Sequence, residues 1–557
     1  MKRFVFILAI LTLITSLFAI PYYLLITNKS PFILKLVVET INSLMKGQQI
    51  TDYQINLTIS PEKGAIDVGC KIKVKFSKDR RYLIFLLNDG LTINSVEINN
   101  RRIKVLRIWL INLFLLPTQP SSPPFKWGGE TTLNLAYKGN LRPLGFSDGY
   151  IKEKEFILRN EDLWYPRDFQ GFFTVTVNGI IPVSLTPVLP GKFTTKIIET
   201  NSKKSEQTSK NKKFIWGSER PVTGFAIIGG YFKRLSRSVN GIDYYMYSPV
   251  YHSEDMNKVI DNIILCHSFF KGQFGDDRFK NLTVVINPHG YRSYNHGSGI
   301  ITLSKTDFSI IAHEIAHNWW GGTVYAGILK GSGDGGQWII EGFAEFSSLF
   351  AVERLQGKDA FLREIELESF NPYKQRAIES ITTFDNLMDE VDIKISHQMI
   401  YAKGSYVLIM MREFMGEEKF IKMIRDFINE FQYRGASSLD FQMIAERTVG
   451  GSLSWFFDQW IRGTGRLDYA ITDVSFWEKE GSYITTARVL NKGEIRMPID
   501  VDIKAITEKG GELKKIFAGD ESTTVVFETK SKIKKIIIDP FMKWADMERE
   551  NNFVSIN

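Results

Sequence analysis

The segment from His313 to His317 constrains the fold of this chain more than any other part of its sequence. It reads His-Glu-Ile-Ala-His, and Glu341 follows it within the run Trp-Ile-Ile-Glu-Gly-Phe-Ala-Glu that ends at Glu345. In a helix, residues four apart lie on one face, with their Cβ atoms roughly 5–6 Å apart. Two imidazoles placed in this way can bind one metal ion. We therefore expect a helix over this segment and a second helix that brings Glu341 to the same point.

These residue types suit a hydrolytic zinc centre. Zinc binds imidazole nitrogens and carboxylate oxygens tetrahedrally, and a catalytic site keeps one position for water. His313, His317 and Glu341 would supply the three protein ligands of one zinc ion. Glu314 is then free to accept a proton from bound water, whose pKa the ion lowers to about 7. The alternative is a helix with two histidines and no metal, and the acidic segment around Glu341 argues against it.

Hydrophobic periodicity divides the chain into β, largely helical and β regions. Ser304, Thr306 and Asp307 offer N-cap side chains before the metal motif, and Gly321 offers a stop after it. Alternating apolar and polar residues, as in 53–59 and 70–76, indicate half-buried strands. We expect helices, most of them closed by glycine, over 256–272, 306–321, 338–357, 401–416 and 452–463.

Four segments resemble the zinc aminopeptidase family of gluzincins, which includes aminopeptidase N and leukotriene hydrolase. HEIAHNWWG at 313–321 resembles the metal helix of that family, and WIIEGFAE at 338–345 resembles its third-ligand helix. YAKG at 401–404 resembles the segment whose tyrosine stabilises the tetrahedral intermediate. SWFFDQW at 454–460 resembles the helix that closes the catalytic domain. The resemblance implies a peptidase in which Tyr401 acts beside Glu314.

The segment order and this resemblance predict a multidomain α+β protein that extends over nearly the whole chain. We expect an N-terminal β domain over 51–235 and a thermolysin-like α/β zinc catalytic domain over 236–468. A C-terminal β-sandwich over 469–548 and a tail over 549–557 would complete the chain.

The spacing of the metal motif departs from the family pattern. Residues 318–340 place 23 positions between His317 and Glu341, more than the family commonly has. The excess lies in the Gly-rich stretch 327–336, which is typical of a loop. We expect this loop to be either a lid beside the metal helix or a passive surface loop.

A second departure concerns the segment that binds the substrate amine. Exopeptidases of the family carry a GAMEN-like sequence whose glutamate holds that amine, whereas SYNHG at 293–297 aligns His296 with the glutamate. A neutral imidazole is a weak anchor for an ammonium group, and a protonated one repels it. His296 and Gly297 are candidate substrate-binding residues, with His296 alternatively an ordinary hydrogen-bonded loop histidine. Glu161, in the N-terminal β region, is a candidate substitute acid.

We therefore expect a membrane-anchored zinc metallopeptidase with aminopeptidase-like activity on peptide substrates. One alternative is an endopeptidase, or a peptidase of amine-blocked substrates, because the amine-anchoring glutamate is replaced. The other is a catalytically silent peptide-binding protein with the same fold. Glu345, one turn beyond Glu341, is either a hydrogen-bond partner of a metal ligand or a surface carboxylate.

The N-terminal sequence predicts the location of the protein. Residues 4–26 are almost entirely apolar and follow Lys2-Arg3, and about 20 apolar residues cross a bilayer. We expect residues 1–27 to be a signal anchor that leaves the catalytic part outside the cytoplasm. A cleaved signal peptide, which would give a secreted protein, is the alternative. Residues 28–50 are expected to hold a juxtamembrane helix.

Composition excludes several other classes of protein. The chain has 557 residues, two cysteines and a formal net charge of +8. Two cysteines in different predicted domains provide neither a cysteine-rich scaffold nor a thiolate metal site. The charge is modest for this length, and no nucleic-acid-binding module appears in the sequence, so we expect no nucleic-acid partner. The polar stretch 200–213 is expected to be a long hairpin loop, and no pattern specifies an oligomeric state.

Overall fold

The computed structural model describes residues 45, 47–77, 82–98, 101–108, 113–117, 129–143, 149–168, 171–201, 208–253, 255–287, 290, 292–326, 336–370 and 399–556. The apolar run 4–26, most of the expected juxtamembrane helix and the Gly-rich stretch except Gly336 lie outside these residues. No helix of the described part is both long and apolar enough to cross a membrane. Residues 48–50 already belong to the first strand, so the predicted juxtamembrane segment 28–50 overlaps the N-terminal sheet at its C-terminal end, and its helix stays a prediction.

An eight-stranded sheet forms the main layer of the N-terminal region. Its longest strands, Gln48–Ser60 and Ala65–Phe76, pair antiparallel and alternate buried with exposed residues, which confirms their predicted pattern. Gly64 closes the turn between them at φ 61°. Across the sheet the strand order is Thr194–Asn201, Thr208–Gly217, Thr174–Pro182, Gln48–Ser60, Ala65–Phe76, Gly129–Asn140, Leu91–Ile98 and Arg101–Arg102.

Two smaller sheets complete this region. One contains Tyr82–Leu86, Leu113–Pro117 and Leu106–Ile108, and the other contains Thr186–Val188, Ile227–Gly230, Glu155–Leu158 and Tyr150–Lys152. The 3-10 turn Asn160–Asp162 follows strand Glu155–Leu158 and carries Glu161. The strands Thr194–Asn201 and Thr208–Gly217 pair antiparallel up to residues 201 and 208. Residues 200–201 and 208–213 of the polar stretch are therefore strand rather than the predicted long loop.

A five-stranded mixed sheet opens the central region. Its strand order is Phe232–Val239, Ile242–Pro249, Asn281–Ile286, Ile300–Leu303 and Tyr294–Asn295. The predicted boundary at residue 235 falls inside the first of these strands. That strand pairs along its whole length with Ile242–Pro249, so backbone pairing places it in the central region.

The central region also contains helices, the first two of which contact this sheet. They are α1 (Met256–Phe274), α2 (Phe308–Ala316), α3 (Gly336–Leu355), α4 (Lys358–Glu364), α5 (Gly404–Met415), α6 (Glu417–Phe431), α7 (Ser438–Val449) and α8 (Ser454–Trp460). The predicted helices correspond to α1, α2, α3, α5 and α8. Two π-helical turns, Ile365–Phe370 and Met399–Lys403, lie on either side of residues 371–398, which are not described. A two-stranded sheet joins Val324–Tyr325 to Arg434–Gly435.

Helix α2 is shorter than predicted. It ends at Ala316, before the predicted stop at Gly321, because the residues that follow form turns whose N–H groups donate to the last carbonyl oxygens of the helix. The N–H of Gly322 donates to the carbonyl of His317 at 3.0 Å, and Gly321 adopts a φ of 97° that favours glycine.

Two sheets form a β-sandwich in the C-terminal region. The first contains Tyr469–Lys479, Ser482–Asn491 and Ser522–Thr529, and the second contains Gly510–Phe517, Asp500–Thr507, Ile533–Ile538 and Phe553–Ser555. The predicted tail over 549–557 is wrong, because Phe553–Ser555 is a strand that pairs antiparallel with Ile533–Ile538. A continuous hydrophobic core joins the sandwich to the central helices. The predicted multidomain α+β class is confirmed.

Candidate metal centre

The structure brings the three predicted ligands together. His313 and His317 lie on one face at the C-terminal end of α2, with their Nε2 atoms 3.1 Å apart. Glu341, near the start of α3, places Oε2 3.5 Å from Nε2 of His313 and 3.3 Å from Nε2 of His317. The sequence spacing predicts that the two histidines share one helix face, whereas the position of α3 beside α2 is seen only in the folded chain.

The three ligand atoms fit a tetrahedral metal ion. Bonds of about 2.0–2.1 Å at tetrahedral angles separate the ligand atoms of zinc by roughly 3.3 Å. The observed separations of 3.1, 3.3 and 3.5 Å bracket that value. Among the described residues, the ligand atoms of these three side chains form a cluster suited to a metal. Oε2 of Glu341 is also a buried oxygen that no donor of the described residues reaches with hydrogen-bond geometry.

Two further groups orient the imidazoles. Nδ1 of His313 lies 2.9 Å from Oε2 of Glu345, and Nδ1 of His317 lies 3.0 Å from the carbonyl oxygen of Trp320. Metal-binding histidines commonly donate their second ring N–H to such acceptors, which aims the other nitrogen at the ion. The structure therefore places Glu345 against a ligand rather than on the open surface.

Glu314 is buried beside the ligands and lines the same cavity. Burial raises the pKa of the Glu314 carboxyl above its usual range, although the neighbouring imidazoles of His317 and His313 act in the opposite direction. Its Oε2 atom has no hydrogen-bond partner among the described residues. A carboxyl with a raised pKa can both accept and return a proton near neutral pH.

Tyr401 lies in the π-helical turn Met399–Lys403 that leads into α5. Its ring stacks on the imidazole of His313, with the ring centroids 5.6 Å apart and the planes 9° from parallel. Burial raises the pKa of the Tyr401 hydroxyl well above its usual range, and the Glu341 carboxylate adds to the effect. The hydroxyl therefore stays protonated and is a hydrogen-bond donor at neutral pH.

A cavity of about 270 Å³ lies over these groups, and Glu161 lines it together with the ligands. Oε1 of Glu161 accepts a hydrogen bond of 2.8 Å from Nδ2 of Asn160, whose own Oδ1 accepts one of 2.8 Å from the N–H of Phe225. Oε2 of Glu161 is buried without a hydrogen-bond partner in the described part of the chain. The structure thus brings the candidate substitute acid into the same cavity as the ligands.

His296 and Gly297 also line this cavity, but their polar groups are engaged elsewhere. The His296 side chain is only 3% exposed, and its Nε2 lies 3.1 Å from Oγ1 of Thr302. Burial lowers the pKa of His296 to about 3, so the imidazole is neutral. The N–H of Gly297 donates to Oδ1 of Asn295 at 2.9 Å. These contacts match the alternative of a hydrogen-bonded loop histidine.

A buried polar network that the sequence analysis missed supports the metal helix. Nδ2 of Asn295 donates to the Glu314 carbonyl at 2.8 Å and to Oδ1 of Asn318 at 2.9 Å. Nδ2 of Asn318 in turn donates to Oδ2 of Asp277 at 2.9 Å. Asp277 continues the network to His267 and then to Tyr244, each step at 2.8 Å. The position of Asn318 directly after His317 was the available signal, but its partner lies in a distant loop.

Comparison with known protein families places the motifs in one domain. The peptidase family M1 domain matches residues 295–460. This segment contains the residues from Asn295 in the sheet edge to Trp460 at the end of α8, and therefore both metal-ligand helices and Tyr401.

Two curated relatives are aminopeptidases by name. Aminopeptidase 2 of Candida albicans is 23% identical over 564 residues, which cover 93% of this chain and 55% of that protein. Endoplasmic reticulum aminopeptidase 2 of Homo sapiens is 35% identical over 142 residues, which cover 24% of this chain and 13% of that protein. The chain thus spans about half the length of the first of these relatives and a smaller part of the second.

Solved structures share the fold. The M1 zinc metallopeptidase of Deinococcus radiodurans aligns with a TM-score of 0.60 at 16% identity and covers 75% of this chain and 94% of its own. Aminopeptidase A of Legionella pneumophila, in complex with aspartic acid, aligns with a TM-score of 0.69 at 13% identity and covers 90% of this chain and 59% of its own. The segment 295–460 thus matches a peptidase family M1 domain, and the chain is similar in sequence to aminopeptidases and in fold to M1 zinc metallopeptidases.

Proposed function

We propose that this chain is a zinc metallopeptidase that removes N-terminal residues from peptides. The observation that carries the proposal is the convergence of His313, His317 and Glu341 below a cavity that also contains Glu314 and Glu161. The names of the curated relatives support the same activity. A structure of the related Deinococcus enzyme was solved with a Tyr-Ser-Ala substrate, which supports a peptide as the substrate class.

Each residue of the centre has a role that follows from its position. A bound zinc ion supplies Lewis acidity and lowers the pKa of a bound water. His313, His317 and Glu341 would hold that ion. The Glu314 carboxylate would accept the proton of the attacking water and deliver it to the leaving amine. The protonated Tyr401 hydroxyl would donate to the developing oxyanion, and loss of one such donor typically costs about 3 kcal/mol.

Glu161 is the group best placed to select a free amine. Asn160 holds one of its oxygens at 2.8 Å, and the other oxygen is buried without a partner among the described residues. A substrate ammonium would supply that partner through a charge-assisted hydrogen bond. His296 cannot take this role, because its ring is neutral and lies against Thr302.

Replacing Glu161 tests this assignment. We expect Glu161→Gln to lower kcat/KM for aminoacyl substrates with a free amine by about 10- to 100-fold, as expected for the loss of one hydrogen bond to a charged group. The measurement compares free-amine and N-acetylated versions of one peptide. Glu153→Gln, at an exposed glutamate of the same region, is the control and should behave like the wild type. Equal wild-type cleavage of both peptides would reject aminopeptidase specificity.

An endopeptidase, or a peptidase of amine-blocked substrates, is the second candidate function. Two observations favour it: His296 stands where the family has its amine-binding glutamate, and Tyr294–Asn295 is an edge strand of its sheet. An edge strand can pair with an extended peptide whatever the state of its amine. Cleavage of N-acetylated peptides at internal bonds would identify this activity in the same assay.

The location of the protein is also a proposal. We infer from Lys2-Arg3 and the apolar run 4–26 that residues 1–27 anchor the chain, with the catalytic part outside the cytoplasm. Membrane fractionation of cells that produce residues 1–557 or 28–557 tests it. Recovery of both forms in the supernatant would reject the anchor.

A further inference from the structure

A second, smaller cavity lies between the N-terminal region and the central region. Its volume is about 30 Å³, and Arg220 and Ser298 are among the residues that line it. Gly297, which directly precedes Ser298, lines the cavity over the metal ligands instead. One water needs about 10–15 Å³ of such volume. The smaller cavity therefore has room for one monoatomic anion or for two waters.

Arg220 is the central residue of this cavity, and its side chain is only 8% exposed. Nη1 donates to Oγ1 of Thr323 and to the hydroxyl of Tyr433, both at 3.2 Å. The guanidinium carbon lies 3.6 Å from the centroid of the Phe279 ring. Nε and Nη2 are buried and have no hydrogen-bond partner within the described part of the chain. Two of the three guanidinium nitrogens thus lack an acceptor.

The nearby carboxylates of Glu219 and Asp277 do not neutralise the positive charge of Arg220 by forming an ion pair with it. Glu219 lines the cavity, but it is exposed and its Oε1 accepts a hydrogen bond of 3.0 Å from Nδ2 of Asn281. Asp277 is fully buried and is engaged by His267 and Asn318. No carboxylate of the described residues forms an ion pair with Arg220. Burying a cation without an anionic partner is costly.

The other polar groups of the cavity favour an anion. Lys192 and Arg278 line it and add positive charge, although Lys192 also pairs with Asp243 at 2.9 Å. Oγ of Ser298 is buried without a partner among the described residues, so its hydroxyl is available as a donor. Oδ1 of Asn281 is an acceptor without a partner there, and a water beside the anion would satisfy it.

We propose that this cavity binds one small inorganic anion of the size of chloride, held by Arg220 and Ser298. Water alone would satisfy the N–H groups but would leave the buried positive charge uncompensated. Arg220 belongs to the N-terminal region, whereas its partners Thr323 and Tyr433 belong to the central region. The anion would therefore stabilise the contact between these two regions, next to the loop that follows the metal helix.

Thermal unfolding of the full chain tests the proposal without use of peptidase activity. At constant ionic strength, replacement of gluconate by chloride should raise the unfolding midpoint and reach saturation. Ser298→Ala removes one donor and should raise the half-saturating chloride concentration about three- to tenfold. Arg220→Gln should abolish the chloride dependence. Arg425→Gln, at an exposed arginine that donates to the carbonyls of residues 272 and 273, is the matched control and should keep it.

Crystals soaked in bromide locate the anion directly. We expect an anomalous peak within hydrogen-bond distance of Nε or Nη2 of Arg220. Equal unfolding midpoints in chloride and gluconate, or a bromide-free cavity that contains only water, would overturn the proposal. If Arg220→Gln does not fold, Ser298→Ala and the bromide position still decide. Failure of the peptidase proposal would leave these results unaffected.

Discussion

At the metal centre, each of the two ligand imidazoles contacts a second group that is not itself a predicted metal ligand. The Glu345 carboxylate contacts His313, and the Trp320 carbonyl contacts His317. Glu314 has no such partner on Oε2 among the described residues. The ligands are therefore fixed in orientation, while the Glu314 carboxyl, which is proposed to move protons, keeps one oxygen available for a further hydrogen bond. The roles of these residues can be separated by experiment.

Glu314→Gln separates metal binding from proton transfer. The substitution preserves the shape of the side chain but removes its ability to accept a proton, a contribution of typically 10²- to 10⁴-fold. We expect kcat to fall by that factor while the purified protein retains stoichiometric zinc, as measured by atomic absorption. Glu418→Gln, at an exposed glutamate in α6, is the control. An unchanged rate would refute the assignment of Glu314 as the base, whereas no peptide hydrolysis by the zinc-loaded wild type would favour the silent peptide-binding protein.

Glu345→Gln should weaken metal binding rather than proton transfer. Removal of a carboxylate that orients a metal-bound histidine typically lowers affinity by about 10- to 100-fold. Competition with a zinc chelator measures this change, and kcat at saturating zinc should fall less than in Glu314→Gln. If Glu345→Gln bound zinc as tightly as the wild type, the contact with His313 would have no part in forming the site.

At the level of elements, the site depends on how closely α3 approaches α5. A Cβ atom at Gly342 would lie 3.0 Å from the Cα of Gly404 and 3.0 Å from the carbonyl oxygen of Ile400. Both contacts are with backbone, which cannot rotate away. Glu341 precedes one of these glycines, and Tyr401 lies just before the other. The two helices therefore set the distance between a metal ligand and the proposed oxyanion donor.

Gly342→Ala tests this close approach. Overpacking of this kind costs about 1–3 kcal/mol, and it should also lower kcat/KM by displacing Glu341 from Tyr401. Chemical denaturation and the free-amine peptide assay measure the two effects. Gly272→Ala in α1, where an added Cβ meets no atom within 4 Å, is the matched control. It should be neutral or stabilise the protein by up to about 1 kcal/mol. Equal behaviour of the two variants would contradict the packing argument.

Sequence reasoning succeeds here where the governing interactions are local. The spacing of His313 and His317 fixes their common face, and alternation along Gln48–Ser60 fixes its buried side. It fails where two distant segments must meet. The contact between Glu345 and His313 depends on the rotation of α3 about its axis, and the place of Glu161 depends on packing of a whole domain. The predicted boundary at residue 235 divided the strand Phe232–Val239 for the same reason, because its partner rather than its pattern defines its sheet.

On the scale of the whole molecule, the C-terminal sandwich is joined to the central region through buried polar groups. The Tyr406 hydroxyl of α5 donates to the carbonyl of Met542 at 2.6 Å, and Arg549 donates to the same hydroxyl at 2.8 Å. Asp539 is buried beside this junction and accepts hydrogen bonds from the N–H groups of Lys543 and Trp544. Burial raises the pKa of Asp539 to about 7, although Arg549 acts in the opposite direction.

This raised pKa predicts a pH dependence of stability. Between the unfolded pKa of about 3.9 and the folded value, the folded protein retains a proton that the unfolded chain loses. The contribution of Asp539 to the free energy of unfolding is therefore fully present below the unfolded pKa. It falls by about 1.4 kcal/mol per pH unit as the pH rises to about 7. Denaturation at pH 5–7 should show a smaller loss of stability in Asp539→Asn than in the wild type. Identical slopes would place the folded pKa of Asp539 near its ordinary value.

The Asn295 side chain has one more consequence for a peptide that docks on the sheet edge. Its amide donates to the backbone carbonyl of Glu314, so the sheet edge is connected directly to the helical turn that carries the proposed base. A longer peptide that pairs with Tyr294–Asn295 would thereby also help to position the Glu314 carboxylate, which acts at the scissile bond. The length of the peptide substrate should then affect kcat as well as the affinity of binding.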